Sequence, residues 1–261
     1  MSILFAIFLI AIGGFSSGSF YLPLKFVKKW SWESGWGIYS LFALLIGPWV
    51  IAMLTIPELG FVISNVPAKA VYLPILFGIG WGIGGLTWGL SNRYLGIGLG
   101  TALPLGLTSA LSTLIPPIFT GKFGLFFDSS GGILTFAGVL ISLVGIAICG
   151  WAAQRRENES KTGEQTSSNL NDFNLQKGLL VAVIAGVMSA CLAFGEEAGQ
   201  PIAQNVDKIF VENGTINAGE QYLWRFNPVY AVLLIGGFLF NCVYSIFLGI
   251  KNKTTGDYTS K

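Results

Sequence analysis

FGIGWGIGGLTWGLSNRYLGIGLG, residues Phe77–Gly100, is an apolar run of membrane-spanning length, crowded with glycine and carrying two tryptophans and one arginine. A helix that only had to sit in lipid would be rich in leucine and isoleucine, because glycine weakens a helix and offers little apolar surface. In a membrane, glycines let neighbouring backbones approach closely, which tight packing without a hydrophobic driving force requires. The stretch therefore reads as an interior wall of a polytopic membrane protein, and the rest of the chain must supply its neighbours.

The composition agrees. Of 261 residues, 52% are hydrophobic and 11% charged, against about 25% charged in a soluble domain. A net charge of +2 with no basic face gives no nucleic-acid partner. Cys149, Cys191 and Cys242 lie in apolar runs without metal-ligand spacing, and histidine is absent. Imidazole metal ligands and Ser-His chemistry are thereby excluded, and no disulfide framework, metal, cofactor or enzyme activity is expected. Gly80-x-Gly82-x-x-Gly85 matches the dinucleotide fingerprint, but that motif needs a preceding strand, which does not fit here.

Seven runs are long enough to span a bilayer: about 3–24, 35–54, 71–91, 95–119, 131–151, 178–199 and 226–250. The first is read as a retained helix, not a signal peptide. Lys and Arg in the connections divide eleven to four between the two sides, which predicts an outside N-terminus and a cytoplasmic C-terminus. Arg93 is read as a topology anchor in the turn between the third and fourth helices. Residues 154–176 are polar and read as a flexible cytoplasmic linker between a first unit of five helices, 1–153, and a second of two, 177–261. Pro201–Arg225 reads as an external loop that can hold a short amphipathic helix. Ile12–Ser17 is echoed by Ile184–Ser189. With five helices per unit, the second copy would enter the membrane from the opposite side, as in inverted-repeat transporters.

Candidate chemistry follows from spacing. Trp81, Gly85, Trp88 and Asn92 share one helical stripe, beside a second stripe of Gly78, Gly82, Gly85 and Gly89. The glycines are expected to hold a neighbouring helix and leave two indoles and an amide facing a crevice. Indole faces suit the apolar face of a sugar ring, and an amide suits its hydroxyls; the alternative is that the tryptophans are lipid-facing or interfacial anchors. Thr101, Thr108 and Ser112 line one face of the fourth helix, and Asn241 and Ser245 one face of the seventh. These groups read either as a polar path or as glue between helices. Glu196 and Glu197 are the acids expected within or at the end of a spanning run. A carboxylate in apolar surroundings favours its protonated form and can carry a proton through a transport cycle. Glu196 lies 19 residues beyond Lys177, about 28 Å along a helix, which also allows a solvated position at the outer interface.

FYLPLK at Phe20–Lys25 and VKKWSWE at Val27–Glu33 resemble the first loop of the bacterial L-rhamnose–proton symporter family, within the drug/metabolite transporter superfamily. Gly47-Pro48-Trp49, Trp81–Gly84, Gly89-Leu90, Arg93–Gly96 and Pro116-Pro117 continue the resemblance. It implies an inner-membrane, proton-coupled sugar carrier on a plan of ten helices in two inverted repeats of five. The chain stops after what reads as the seventh, so three helices of that plan are expected to be missing. On this reading Trp81, Trp88, Asn92, Thr101, Thr108 and Asn241 contact an L-rhamnose-like sugar, and Glu196 or Glu197 carries the proton. A separately encoded C-terminal part or a second copy would complete the carrier. The rival readings are a non-transporting fragment and a seven-helix membrane sensor.

Overall fold

The computed structural model describes residues 3–19, 26–27, 30–95, 97–161 and 174–259. Its helices are α1 (Ile3–Ser19), α2 (Trp32–Ser40), α3 (Gly47–Thr55), α4 (Leu59–Ser64), α5 (Lys69–Leu95), α6 (Ile97–Phe119), α7 (Ser130–Lys161), α8 (Leu175–Ala198), α9 (Gln200–Glu212) and α10 (Asn227–Asn252). Six helical stretches among the described residues are long and apolar enough to cross a membrane, and a shorter apolar stretch, Ile7–Ser16, lies in α1. The chain is an all-α, polytopic membrane protein.

Several boundaries differ from the sequence expectation. Helix α2 begins at Trp32, so Glu33 lies in its first turn. Helix α5 runs on through Leu95, which places Arg93 in its last turn and not in a connecting loop. The hairpin can be this tight because Gly100, without a side chain, lies against the α5 backbone at Ser91 and Asn92. Helix α7 continues to Lys161, eight residues into the expected linker, because six of the eight residues from Gln154 to Lys161 are the good helix formers Gln, Arg, Glu and Lys. Helix α8 begins at Leu175, inside the other end of the expected linker, and residues 162–173 between them lie outside the described residues, as do Lys25, Lys28 and Lys29 of the first connection. Within the stretch Pro201–Arg225, the residues up to Glu212 form α9, the short amphipathic helix that the loop was expected to hold, and it begins directly beyond Gly199.

By internal contacts the chain forms two compact units, Ala43–Phe240 and Met1–Phe42 with Asn241–Lys261. In the larger unit, α5 packs along α8, and α6 packs on α5, α7 and α8. Helix α9 explains its own position: Ile202, Ala203, Val206 and Ile209 recur at helical spacing and are buried. They share one apolar cluster with Ala52 of α3, Ile56 directly after it, Leu59 and Val62 of α4, Ala70 of α5, and Val229, Ala231 and Val232 of α10. A π-helical segment, Leu41–Ile46, immediately precedes Gly47-Pro48. Pro48 has no N–H for the Leu44 carbonyl and its ring crowds that turn, and a widened turn accommodates both.

In the smaller unit, residues 7–16 of α1 are exposed on every side. Helix α2 meets the last turns of α10 along a polar seam in which Glu33, Ser34, Ser40, Asn241 and Ser245 are buried. Trp36 donates its indole N–H to Asn241 Oδ1 at 2.8 Å. Its ring is stacked with Trp32 at 5.3 Å and tilted against Tyr39 at 5.2 Å. Beyond α10 the chain turns through Lys253, which has a left-handed φ of 58°. That conformation costs a residue with a Cβ about 1–2 kcal/mol. It directs the following turn, Thr255–Thr259, back to the start of α2.

Candidate functional site

The glycines of α5 do hold neighbours, but two of them on nearly opposite faces. A Cβ added at Gly78 would overlap the Leu233 carbonyl oxygen of α10, and one at Gly236 the Ile75 carbonyl oxygen of α5. A Cβ at Gly82 would lie 3.3 Å from the Gly237 Cα. Two residues along, and so about 200° around the helix, Gly80 and Gly84 face α8. There an added Cβ would lie 2.8 Å from Cys191 Sγ and 2.6 Å from the Ser189 N. The expected stripe of Gly78, Gly82, Gly85 and Gly89 is thus half right. Gly85 and Gly89 open onto empty space, and the second packing row is Gly80–Gly84, a GxxxG spacing present in the sequence but masked by the denser glycines around it.

Trp81 does not stand apart from the glycine row. A Cβ at Gly237 would lie 3.0 Å from its Cε3 and Cζ3 carbons, so the indole lies over α10 where that helix has no side chain. Two turns further along, Trp88 is half-buried. Asn92 is half-buried too, and its Oδ1 accepts from Thr101 Oγ1 at 2.9 Å. Thr108 donates to the Gly186 carbonyl of α8 at 3.2 Å. Both threonines therefore bridge helices, the role that a hydroxyl in a membrane interior most often takes. The Thr108 bridge sits where Gly186 lies against Leu107 and Pro104, so one proline-loosened turn of α6 is fastened to α8.

Glu196 and Glu197 occupy the last turn of α8 and are half-buried. Tyr230 of α10 donates its hydroxyl to Glu196 Oε1 at 2.7 Å. Here a carboxylate within a membrane-length helix is met by a neutral phenol. Tyr230 was not singled out from the sequence; its signal was a lone hydroxyl-bearing side chain near the start of the final apolar run. The joint to α9 lies immediately beyond, at Gly199 and Pro201, where Gly199 lies against Val229.

Asn241 belongs to the smaller unit, where its amide oxygen is taken by Trp36. Glu33 belongs there too, and it corrects the expectation that Glu196 and Glu197 are the acids at span ends. It is 6% exposed, and its Oε1 accepts from Asn252 Nδ2 and Thr254 Oγ1, each at 2.9 Å. Ser31 directly before an apolar run, with an acid in the following turn, is a helix-start signal that could have revealed it.

Comparison with known proteins places this architecture. The family model described as L-rhamnose-proton symport protein (RhaT) matches residues 1–255. Proteins named L-rhamnose-proton symporter are similar throughout. The one from Cronobacter sakazakii is 36% identical over 88% of this chain and 62% of its own length. Those from Citrobacter koseri and Mannheimia succiniciproducens are 35% and 34% identical, over 92% and 94% of this chain and 65% and 67% of theirs. The chain thus spans about two thirds of the length of the curated relatives it matches. No solved structure matches it. This chain belongs to the L-rhamnose-proton symport protein family.

Proposed function

We propose that this chain is, or forms most of, a carrier that imports an L-rhamnose-like sugar together with a proton by alternating access. The observation that carries the reading is the family match over residues 1–255, on a chain with six membrane-length helices. Residues 1–153 form one five-helix repeat and residues 177–261 the first part of an inverted second. The N-terminus is outside and the C-terminus cytoplasmic, as the eleven-to-four distribution of basic residues favours. The candidate sugar contacts are Trp81, Trp88, Asn92, Thr101 and Thr108, on α5 and α6, and Asn241, on α10. Glu196 takes up and releases the transported proton, supported by its seat in a membrane-length helix with a neutral hydroxyl as partner. Glu197, its chain neighbour, is the alternate carrier.

Uptake of labelled L-rhamnose into vesicles containing the purified chain, with and without an inward proton gradient, tests the reading. Accumulation that collapses with the gradient is expected. Binding without uptake would mark a non-transporting protein and sink the carrier reading. Glu196→Gln keeps the geometry and one acceptor oxygen for Tyr230 but cannot lose a proton. It is expected to retain sugar exchange across the vesicle membrane while gradient-driven accumulation falls at least tenfold. Undiminished accumulation by this variant would move the proton to another group.

A further inference from the structure

In the smaller unit the segment after α10 is fastened to the start of α2 by acceptors contributed from both sides. Asp257 Oδ2 accepts from the Ser31 N–H at 2.8 Å, the Ser31 hydroxyl at 2.7 Å and the Ser34 hydroxyl at 2.9 Å. In the reverse direction Glu33 Oε1 accepts from Asn252 and Thr254. The Tyr258 hydroxyl approaches the Ser34 carbonyl at 3.4 Å, and its ring meets Trp30 edge-on at 5.7 Å. The Ser31 and Ser34 hydroxyls are also 2.9 Å apart. Two hydroxyls hold only two protons, so with both given to Asp257 the cluster is saturated around that carboxylate. These hydrogen bonds hold Asp257 ionised, below the usual aspartate range, first through the Ser31 N–H and then through the two hydroxyls. Lys253, in its left-handed conformation, is the turn that delivers this segment.

We propose, resting on the carrier reading above, that this cluster is a clasp at one end of the α2–α10 pair, shut in the present conformation, and that it must open in each transport cycle. Its chemistry suits that use. Two carboxylates are each held by several neutral donors, bonds that water can replace one at a time, and no apolar plug has to be withdrawn. The crossing of α5 and α10 at Gly78 and Gly236 is the contrast, a backbone contact that water cannot replace. The clasp also lies where helices lead out of the apolar run, so donors and acceptors released on opening are met by solvent. Ser34, 1% exposed while the clasp is shut, is the reporter.

The test uses the full chain with Cys149, Cys191 and Cys242 replaced by alanine, reconstituted in vesicles. Ser31→Cys with Asp257→Cys, bridged by a short bifunctional methanethiosulfonate, is expected to lose at least tenfold in L-rhamnose uptake and to recover on reduction. Uptake at the same rate with the bridge in place overturns the proposal. If the unsubstituted chain takes up no sugar, the carrier reading is what fails. The clasp is then decided by labelling of Ser34→Cys with a water-soluble maleimide in otherwise intact chain. Labelling several-fold faster with Asp257→Asn, and faster again with L-rhamnose, supports a clasp that opens. Labelling at one rate under all three conditions overturns it.

Discussion

Gly78→Ala is expected to destabilise the protein by about 3 kcal/mol or more, at the top of the range for overpacking, whereas Gly85→Ala leaves it unchanged or slightly more stable. The substituted methyl at Gly78 meets the Leu233 carbonyl oxygen, with the Leu233 carbon 3.0 Å and the Gly236 Cα 3.3 Å away. None of these atoms can turn aside as a side chain could, so α5 and α10 must separate. Separation loosens the Gly82–Gly237 contact and the seat of the Trp81 indole together, since all three lie along one crossing. Gly236→Ala is expected to act alike from the other helix, where the obstacles are the Ile75 carbonyl oxygen and the Ile79 N at 2.6 Å. At Gly85 nothing lies within 4 Å of the added carbon, and alanine favours the helix by up to about 1 kcal/mol. Thermal unfolding in detergent, followed by size-exclusion profile, checks all three. Equal midpoints for Gly78→Ala and Gly85→Ala would remove the packing account of α5.

Asp207→Ala is expected to cost about 2–4 kcal/mol, somewhat less than the full penalty for leaving one member of a buried pair alone. Asp207 bonds the Arg225 guanidinium through Oδ2 and the Tyr222 N–H through Oδ1, and the two side chains are 15% and 13% exposed. Its removal strands a cation and a backbone donor at once. Tyr222 also stacks on Phe210 at 3.9 Å and reaches the Thr55 carbonyl, while Asn227 donates to Thr55 Oγ1. The connection between α9 and α10 therefore loosens as a whole. Asp207→Ala with Arg225→Ala is expected to be more stable than Asp207→Ala alone, because no unpaired charge remains. The double-mutant cycle in the same unfolding assay reads this directly, and additive single effects would show that the pair is not coupled. The Lys208–Glu212 pair on the same helix, 3.9 Å apart and mostly exposed, is the contrast: its loss is expected to move the midpoint little.

The membrane class and the helices were legible because apolar length is a bulk property that no tertiary contact overrides. Family membership was legible in the WSWE and glycine-rich motifs. Which glycine meets which helix was not. Glycines at every second or third position satisfy several faces at once, and only the crossing of α10 selects Gly78 and Gly82 over Gly85 and Gly89. Trp81 was placed by the same logic on a free face, while the gap left by Gly237, 156 residues away in the chain, is what seats it. Glu33 is hidden from a reading by apolar length because the apolar run begins at 35, while the helix begins three residues earlier, at Trp32. The partners of Glu33 and Asp257 are more than 200 residues distant, a pairing that spacing cannot supply.

The joint between α8 and α9 has a bearing on the host membrane. Together these helices take in 37 residues, about 55 Å of helix, against a hydrocarbon core of about 30 Å. Helix α9 is fixed by its cluster with α3, α4 and the start of α10, so the acid-bearing end of α8 cannot slide independently to suit a thinner or thicker bilayer. Acyl-chain length thereby becomes a control on how deeply the end of α8 sits and, on the proposed proton-carrier role of Glu196, on the transport cycle.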